Sequence, residues 1–535
     1  MISTDTSRDS QLVPGSTKSV TNYGKLYFTD AQMIKLWCCM GTLAFAGAVS
    51  ASFRAPSVNV HDAGALGDGI TDDTAAIQLA IDQAAALVSN AEGATDKPRQ
   101  ARVTLSSGIF VSGTIYLRHG VVLFVDRTAI LRASTNSSLF PRDSAWPYQG
   151  ALVVGDSADN SAVSGTGIID GQAPYFVTAL NGESDQFAFR QYVDSAGAWF
   201  RVRLVDFRHS INVSLVGVTL SDATSFHAHF LNCSRVLVEE VTVDSDLRWP
   251  NGDGIDVTSC NDTVIRQCHV RTGDDAFSPK TWRGYGPLQN LLIEDSSFHS
   301  RSGGIHFGAS AWHDYINVTV RRVRVLDAHS GLLVQVRGPG SVRGLTVENV
   351  AISRATFNAP CTPWMGNAQP IVLSADAWAG GPAGAACVPS GVPKCGSIEG
   401  VRIENVTAQA ENGIMISGPV GGIRNVSLAG LRLVLQQKPA NNASFGPCPS
   451  RNYWPTSRRT PEPQGGVIAP VDGIFVEHAH DIAFHDISIS FVGQPKPGNS
   501  FGRCINIDRN TTAGVVVAPG SLRCIGSSMD SFNTF

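Results

Sequence analysis

The sequence predicts an all-β chain: a single-stranded right-handed parallel β-helix solenoid with an N-terminal capping helix. Three observations carry this expectation. They are an apolar pattern of period two that recurs at coil-length steps, a glycine-rich composition with little charge, and one helical segment ahead of the repeats. The 535 residues are 43% hydrophobic and 16% charged, with 53 Gly, so a large core is possible and disorder or a coiled coil is disfavoured. Solenoids often reach this length as one unit, so length alone does not divide the chain.

The pattern sets in near residue 210: an apolar residue, one skipped, a second, two skipped, a third, one skipped, a fourth. It reads Val213-Leu215-Val218-Leu220, Val236-Val238-Val241-Val243, Leu291-Ile293-Ser296-Phe298, Val318-Val320-Val323-Val325 and Leu345-Val347-Val350-Ile352. Later copies are Val401-Ile403-Val406-Ala408, Val426-Leu428-Leu431-Leu433 and Ile482-Phe484-Ile487-Ile489, and a weaker one is Thr263-Ile265-Cys268-Val270. Steps of 23 residues (Val213 to Val236) and 27 (Val318 to Leu345) each read as one coil, and the step of 56 from Leu345 to Val401 reads as about two. Each copy is two short strands separated by a bend at the skipped pair. Stacked coils bury the inward residues continuously, which one coil alone cannot do. The Leu-x-x-Leu-x-Leu consensus of the competing leucine-rich solenoid does not recur from coil to coil.

Ahead of the repeats, residues 75–88, with Ile77, Leu79, Ile81 and Leu87, have helical composition and cover the open end of the solenoid. Asp68, Asp72 and Asp73 just before them read as turn and capping residues, not a metal cluster. Residues 379–393 and 439–466 read as long loops leaving the coil.

Met33-Ile34-Lys35, the apolar run from Leu36 to Val49 and the small residues through Ala51 describe a signal peptide. The run is shorter than the roughly 20 apolar residues of a transmembrane helix, and a signal anchor is the alternative. Residues 1–51 are therefore read as an N-terminal extension and signal peptide with Met33 as the working start, and 52–535 as the β-helix domain of a secreted, extracellular or wall-located monomer. Two of the 11 Cys, Cys38 and Cys39, fall in the signal. The others are Cys233, Cys260, Cys268, Cys361, Cys387, Cys395, Cys448, Cys504 and Cys524. Their odd number leaves at least one thiol unpaired, and Cys233 and Cys260, each just before a strand, are placed to stack or pair. Sequons at Asn136, Asn212, Asn232, Asn261, Asn317, Asn405, Asn425, Asn442 and Asn510 fit a secretory route. A net charge of -4 without a basic run argues against nucleic acid as a partner.

Chemistry concentrates in Asn251-Gly252-Asp253-Gly254-Ile255-Asp256 and Thr272-Gly273-Asp274-Asp275. Asp253 and Asp274 are 21 residues apart, close to one coil, which predicts neighbouring coils at a similar angular position. Strands lie about 4.8 Å apart, so such carboxylates fall within a range that includes the roughly 6.5–9.5 Å spacing of inverting glycosidases. Adjacent carboxylates repel, which raises one pKa and suits a general acid. The plainer alternative is that Asp beside Gly only makes turns, and for Asp256 it weighs equally. His227 and His229 alternate on one strand and read as structural. No Cys-x-x-Cys pair, P-loop or dinucleotide fingerprint is present in a suitable context, so no metal or cofactor is expected.

On these residues the chain resembles glycoside hydrolase family 28, the polygalacturonase family. Asn251-Gly252-Asp253 is similar to the family's Asn-Thr-Asp motif, and Gly273-Asp274-Asp275 with Lys280 to its Gly-Asp-Asp motif and following Lys. The Gly-Asp-Gly-x-x-Asp-Asp-Thr segment ending at Thr74 is also similar, so the resemblance runs from about residue 57 to at least 435. It implies an inverting hydrolase of a pectin-like wall polysaccharide, with Asp274 as general acid and Asp253 and Asp275 positioning and deprotonating the attacking water. Asn251, Asp256, Lys280, His306, Gln335, Arg337 and Trp364 are candidate substrate-binding residues. Two motifs depart from the family. Its Gly-His-Gly aligns with Ser302-Gly303-Gly304, with His306 three residues beyond Gly303, and its Arg-Ile-Lys aligns with Leu333-Val334-Gln335, with Arg337 beyond. These departures imply poor action on unsubstituted polygalacturonate. Trp364-Met365-Gly366 with Gln369-Pro370 is similar to a Trp-Gly…Glu-Pro segment of a divergent branch, where the aromatic stacks on a sugar or packs in the core. The competing readings are a calcium-dependent lyase on the same fold and a non-catalytic polysaccharide-binding or wall protein.

Overall fold

The alternating apolar residues form the strands of a parallel coil. The computed structural model describes residues 55–89, 100–142, 150–178, 191–193, 195, 197, 200–249, 251–308, 310–356, 368–376, 396–419, 422–436, 471–493 and 501–526. All lie in the unit Ala55–Phe535. The predicted signal peptide, Trp364, Cys361, Cys387, Cys395 and Cys448 fall outside the described residues.

One register line joins the first inward residue of every predicted repeat: Val213, Val236, Thr263, Leu291, Val318, Leu345, Val401, Val426 and Ile482 pair in turn, all in parallel. This corrects the reading of the 56-residue step. Leu345 pairs directly with Val401, so that step is one long coil and not two, and Val426 to Ile482 is another. The coil also starts earlier than its visible pattern, through Val58, Val103, Leu123 and Val163 to Leu215.

The bend at each skipped pair has one backbone solution. Its second residue is left-handed in coil after coil: Gly217 (φ 77), Glu240 (φ 55), Gln267 (φ 56), Asp295 (φ 51), Arg322 (φ 52), Asn349 (φ 56), Asn405 (φ 51), Gly430 (φ 65) and Asp486 (φ 50). A single left-handed residue turns the strand without a loop, which is why the pattern skips two positions there. The two arms of this bent sheet make up its 24 strands, and a 12-stranded parallel sheet closes the coil. Ala228, Ile255, Phe277, Ile305, Leu332 and Ile371 stack along the inner face of the smaller sheet, each at most 3% exposed. Residues alternating with them face the other way, and that outer face carries the site.

The capping helix spans Thr74–Ser89 and buries Ile77, Ala80, Ile81 and Ala84, while Leu79 and Leu87 point outward. The three aspartates before it act on backbone N–H groups. Asp68 accepts from Ile70 and Thr71, Asp72 from Thr74, and Asp73 from Leu66 and Gly67. Cys233 and Cys260 stack and do not pair: both are buried free thiols, and the Cys233 N–H donates to Cys260 Sγ (3.3 Å). A Cys504–Cys524 disulfide ties the last coils together.

Candidate active site

Asp253, Asp274 and Asp275 sit where the chain turns from the bent sheet into the smaller one, and Asp256 follows within the strand Ile255–Thr258. Ile255 is in register with Phe277, so Asp253 shares its column with Asp275, and Asp274 shares its column with Gly252. The expected Asp253–Asp274 alignment is therefore one residue off. Asp274 and Asp275, being chain neighbours, leave the backbone in different directions. Gly273 makes this turn possible, because a Cβ there would fall inside the Trp249 carbonyl oxygen.

Asp274 is 5% exposed. Its Oδ2 accepts from the Asn251 backbone N–H (3.1 Å) and side-chain amide (3.3 Å), and its Oδ1 from the Asp275 N–H (2.9 Å). Asn251 is itself left-handed (φ 53), which aims both donors at that oxygen. Burial, with Asp253 and Asp275 close by, still pushes the Asp274 carboxyl well above the ordinary carboxylate range. Burial acts on Asp275 too, but its partners win and hold it below that range. The His306 Nδ1–H donates to Oδ2 (2.7 Å), and the Ser302 hydroxyl (2.7 Å) and Gly303 N–H (3.0 Å) donate to Oδ1. Burial and the Asp275 charge raise Asp253, with Lys280 pulling the other way.

Lys280 is the central cation. Its Nζ contacts Asp253 Oδ2 (3.0 Å) and Asp256 and lies 4.8 Å from the Phe226 ring centre. Burial works against its charge, but Asp256, Asp253 and Asp275 keep its pKa above the ordinary lysine value. Asp256 is thus tied to Lys280 on the outer face, one residue from the inward Ile255 and Val257.

His306 occupies the space that a side chain at Gly303 would need. A Cβ on Gly303 would lie 2.8 Å from His306 Cβ and 3.1 Å from Asp275 Oδ1. The imidazole continues to Gln335, with Nε2 3.3 Å from its Oε1, so Asp275, His306 and Gln335 form one chain of contacts. Arg337 is two residues further along the same strand, in register with Asp376. Asn251, Asp253, Asp256, Asp274, Asp275, Lys280, His306 and Gln335 are thereby brought together.

The two histidines read as structural are held by the protein. His227 Nδ1 meets the Asp253 carbonyl (2.9 Å), and His229 bridges Asp206 (3.0 Å) and Thr258 (3.1 Å). Burial pushes each imidazole down to about 4. Phe226, beside Lys280, belongs to the site without having stood out in the sequence, and Ser302, noted there only as a motif position, donates to Asp275. Tyr192 is buried, and Asp274 contributes to raising its phenol. It lies outside the repeats, so no periodicity marks it.

A model of the family described as Glycosyl hydrolases family 28 matches residues 109–417. A probable polygalacturonase of Vitis vinifera is 26% identical over 325 residues, covering 57% of this chain and 62% of that protein. An endo-polygalacturonase of Pectobacterium carotovorum subsp. carotovorum is 26% identical over 271 residues, covering 46% of this chain and 63% of that one. The chain thus spans somewhat under two thirds of the length of these relatives. Among solved structures, a polygalacturonase from Erwinia carotovora ssp. carotovora superposes with a TM-score of 0.55 at 20% identity, over 72% of this chain and 96% of that one. A family 28 exopolygalacturonase from Yersinia enterocolitica gives 0.60 at 19% identity, over 88% and 78%. These two carry the same β-helix fold, and the family match covers more than half of the sequence: the chain belongs to glycosyl hydrolase family 28.

Proposed function

We propose that this protein hydrolyses O-glycosidic bonds of a pectin-like cell-wall polysaccharide, by inverting general acid–base catalysis, outside the cell. The observation that carries the reading is the unlike setting of two neighbouring buried carboxyls: Asp275 is held by His306, Ser302 and the Gly303 N–H, which favour its charge, while Asp274 meets Asn251 and two other carboxylates and is pushed up. Paired carboxylates pushed apart in this way sort into acid and base. Asp274 keeps its proton and gives it to the glycosidic oxygen as the C–O bond breaks. Asp275, ionised and steadied by His306, takes a proton from water whose oxygen adds to the opposite face of the anomeric carbon. Asp253 holds that water, and Lys280 balances the negative charge of the cluster. Similarity to polygalacturonases supports a pectic substrate. The Cys504–Cys524 disulfide supports an oxidising compartment, in keeping with the signal-like segment that starts at Met33.

Proton NMR of the first product from a soluble pectic substrate tests the reaction type. The expected spectrum shows new reducing ends formed with inverted anomeric configuration, unchanged by a chelator. Retained configuration would exclude the mechanism. Unsaturated, chelator-sensitive ends would mark a lyase, and binding without new ends would mark a wall-binding protein.

A further inference from the structure

The smaller sheet continues past His306 into a surface of different chemistry. On its outer face the column of His306 runs on through Leu333, Val372, Met415 and Phe475. Leu333, Val372 and Met415 form an apolar cluster separate from the main core, with Phe475 packed against it. Beside this column stand four buried neutral residues, Ser330, Gln335, Gln369 and Ser374, each at most 2% exposed. Gln335 and Ser374 are in register, and the Gln369 carbonyl accepts the Gly331 N–H next to Ser330 (3.1 Å). Ser330 Oγ, Gln335 Nε2, Gln369 Oε1 and Ser374 Oγ have no hydrogen-bond partner among the described residues. Buried polar atoms are rarely left unpaired, and a group of them beside an active site calls for a ligand.

We infer that this surface, on the outer face of strands Ser330–Arg337 and Ile371–Asp376, binds an uncharged sugar residue next to the bond to be cleaved. The four atoms are one donor, one acceptor and two hydroxyls that do both. That set matches sugar hydroxyls, which also donate and accept, while the Leu333–Val372–Met415 column suits the C–H face of a ring. A carboxylate only accepts. It would meet the Gln369 oxygen and the Asp275 charge, and Glu477 stands further along the Gln335–Ser374–Ser417 column, accepting from Ser417 (2.7 Å). The cation of these strands, Arg337, closes its strand at the end away from Ser330. The residue bound is therefore a neutral sugar or an acidic one whose carboxyl is esterified.

The reaction rests on the hydrolase reading, but binding does not require turnover, so the two are separable. Calorimetry with the Asp274→Asn protein would compare three oligosaccharides of equal length: free-acid galacturonate, its methyl ester and neutral galactose. The expected result is at least about tenfold tighter binding of an uncharged oligomer than of the free acid. Preference for the ester or for galactose tells the two sources apart. Gln335→Lys should reverse or erase the preference, and Ser374→Ala, the milder change, should weaken the uncharged oligomer without helping the acid. Equal or tighter binding of the free acid would overturn the inference, as would a preference untouched by both variants or no binding of any of the three. Absence of turnover in the wild-type protein with the binding preference intact would instead count against the hydrolase reading alone.

Discussion

Asp274 and Asp275 share a peptide bond and little else. Asp274 faces Asn251 and two other carboxylates, whereas Asp275 faces an imidazole, a hydroxyl and a backbone N–H. On the proposed mechanism Asp275 must be ionised and Asp274 protonated, so the rate should fall as pH drops through the Asp275 value and again as it rises through the Asp274 value. Burial raises Asp275, and His306 is the strongest of the partners that lower it. Its removal raises that carboxyl. His306→Ala should therefore move the acidic limb of the kcat/KM profile to higher pH, by about 1–3 units, and leave the alkaline limb in place. An unmoved acidic limb would remove His306 from the role given to it. Asp-Gly pairs one coil apart made this cluster legible in the sequence, but not which aspartates align. The two corners, Asn251-Gly252-Asp253 and Gly273-Asp274-Asp275, match residue for residue, so Asp253 faces Asp275. A spacing of 21 or 22 residues cannot separate those registers, because coil length varies by more than one residue. His306 stood near a motif without filling it, and only the lack of room at Gly303 explains why.

Strands were legible where each inward position is apolar and each bend uses one left-handed residue, as from Val213 to Leu435. The earlier coils escaped because steps of unequal length, the first containing the capping helix, separate Val58, Val103, Leu123 and Val163, which hides the period. The doubled coil between Leu345 and Val401 failed for a related reason: spacing does not distinguish two coils from one long coil. Register between coils now ties the site to the core. Phe277 is fully buried directly below the Asp274–Asp275 turn, in register with Ile255 and Ile305, and stacks near Phe298 (6.5 Å between ring centres). Phe277→Ala removes a large side chain from a stack with no route to collapse, at a cost of about 3–5 kcal/mol. A clear drop in the thermal midpoint is expected, together with lower turnover because the turn above loses its support. An unchanged midpoint would show that the ladder does not hold the site.

Across the molecule, stacked coils bury one continuous core, with the Thr74–Ser89 helix over one end and the Cys504–Cys524 disulfide near the other. The 12-stranded sheet then presents a single outer face on which chemistry changes coil by coil: Asp206 and His229, then the carboxylates with Lys280, then His306, then the neutral Gln335 and Ser374. A polymer laid across the coils would meet these in order, which suits a chain substrate more than a small one. The central claim is that the carboxylate cluster cleaves glycosidic bonds with Asp274 supplying the proton. Initial rates of reducing-end release from a panel of pectic and neutral wall polymers, measured side by side for the wild-type and Asp274→Asn proteins, test it most directly. The account predicts release by the wild type on at least one polymer and a fall of about 10²–10⁴-fold in the variant at an unreduced melting temperature. Equal rates for the two proteins, or no release from any polymer, would contradict it.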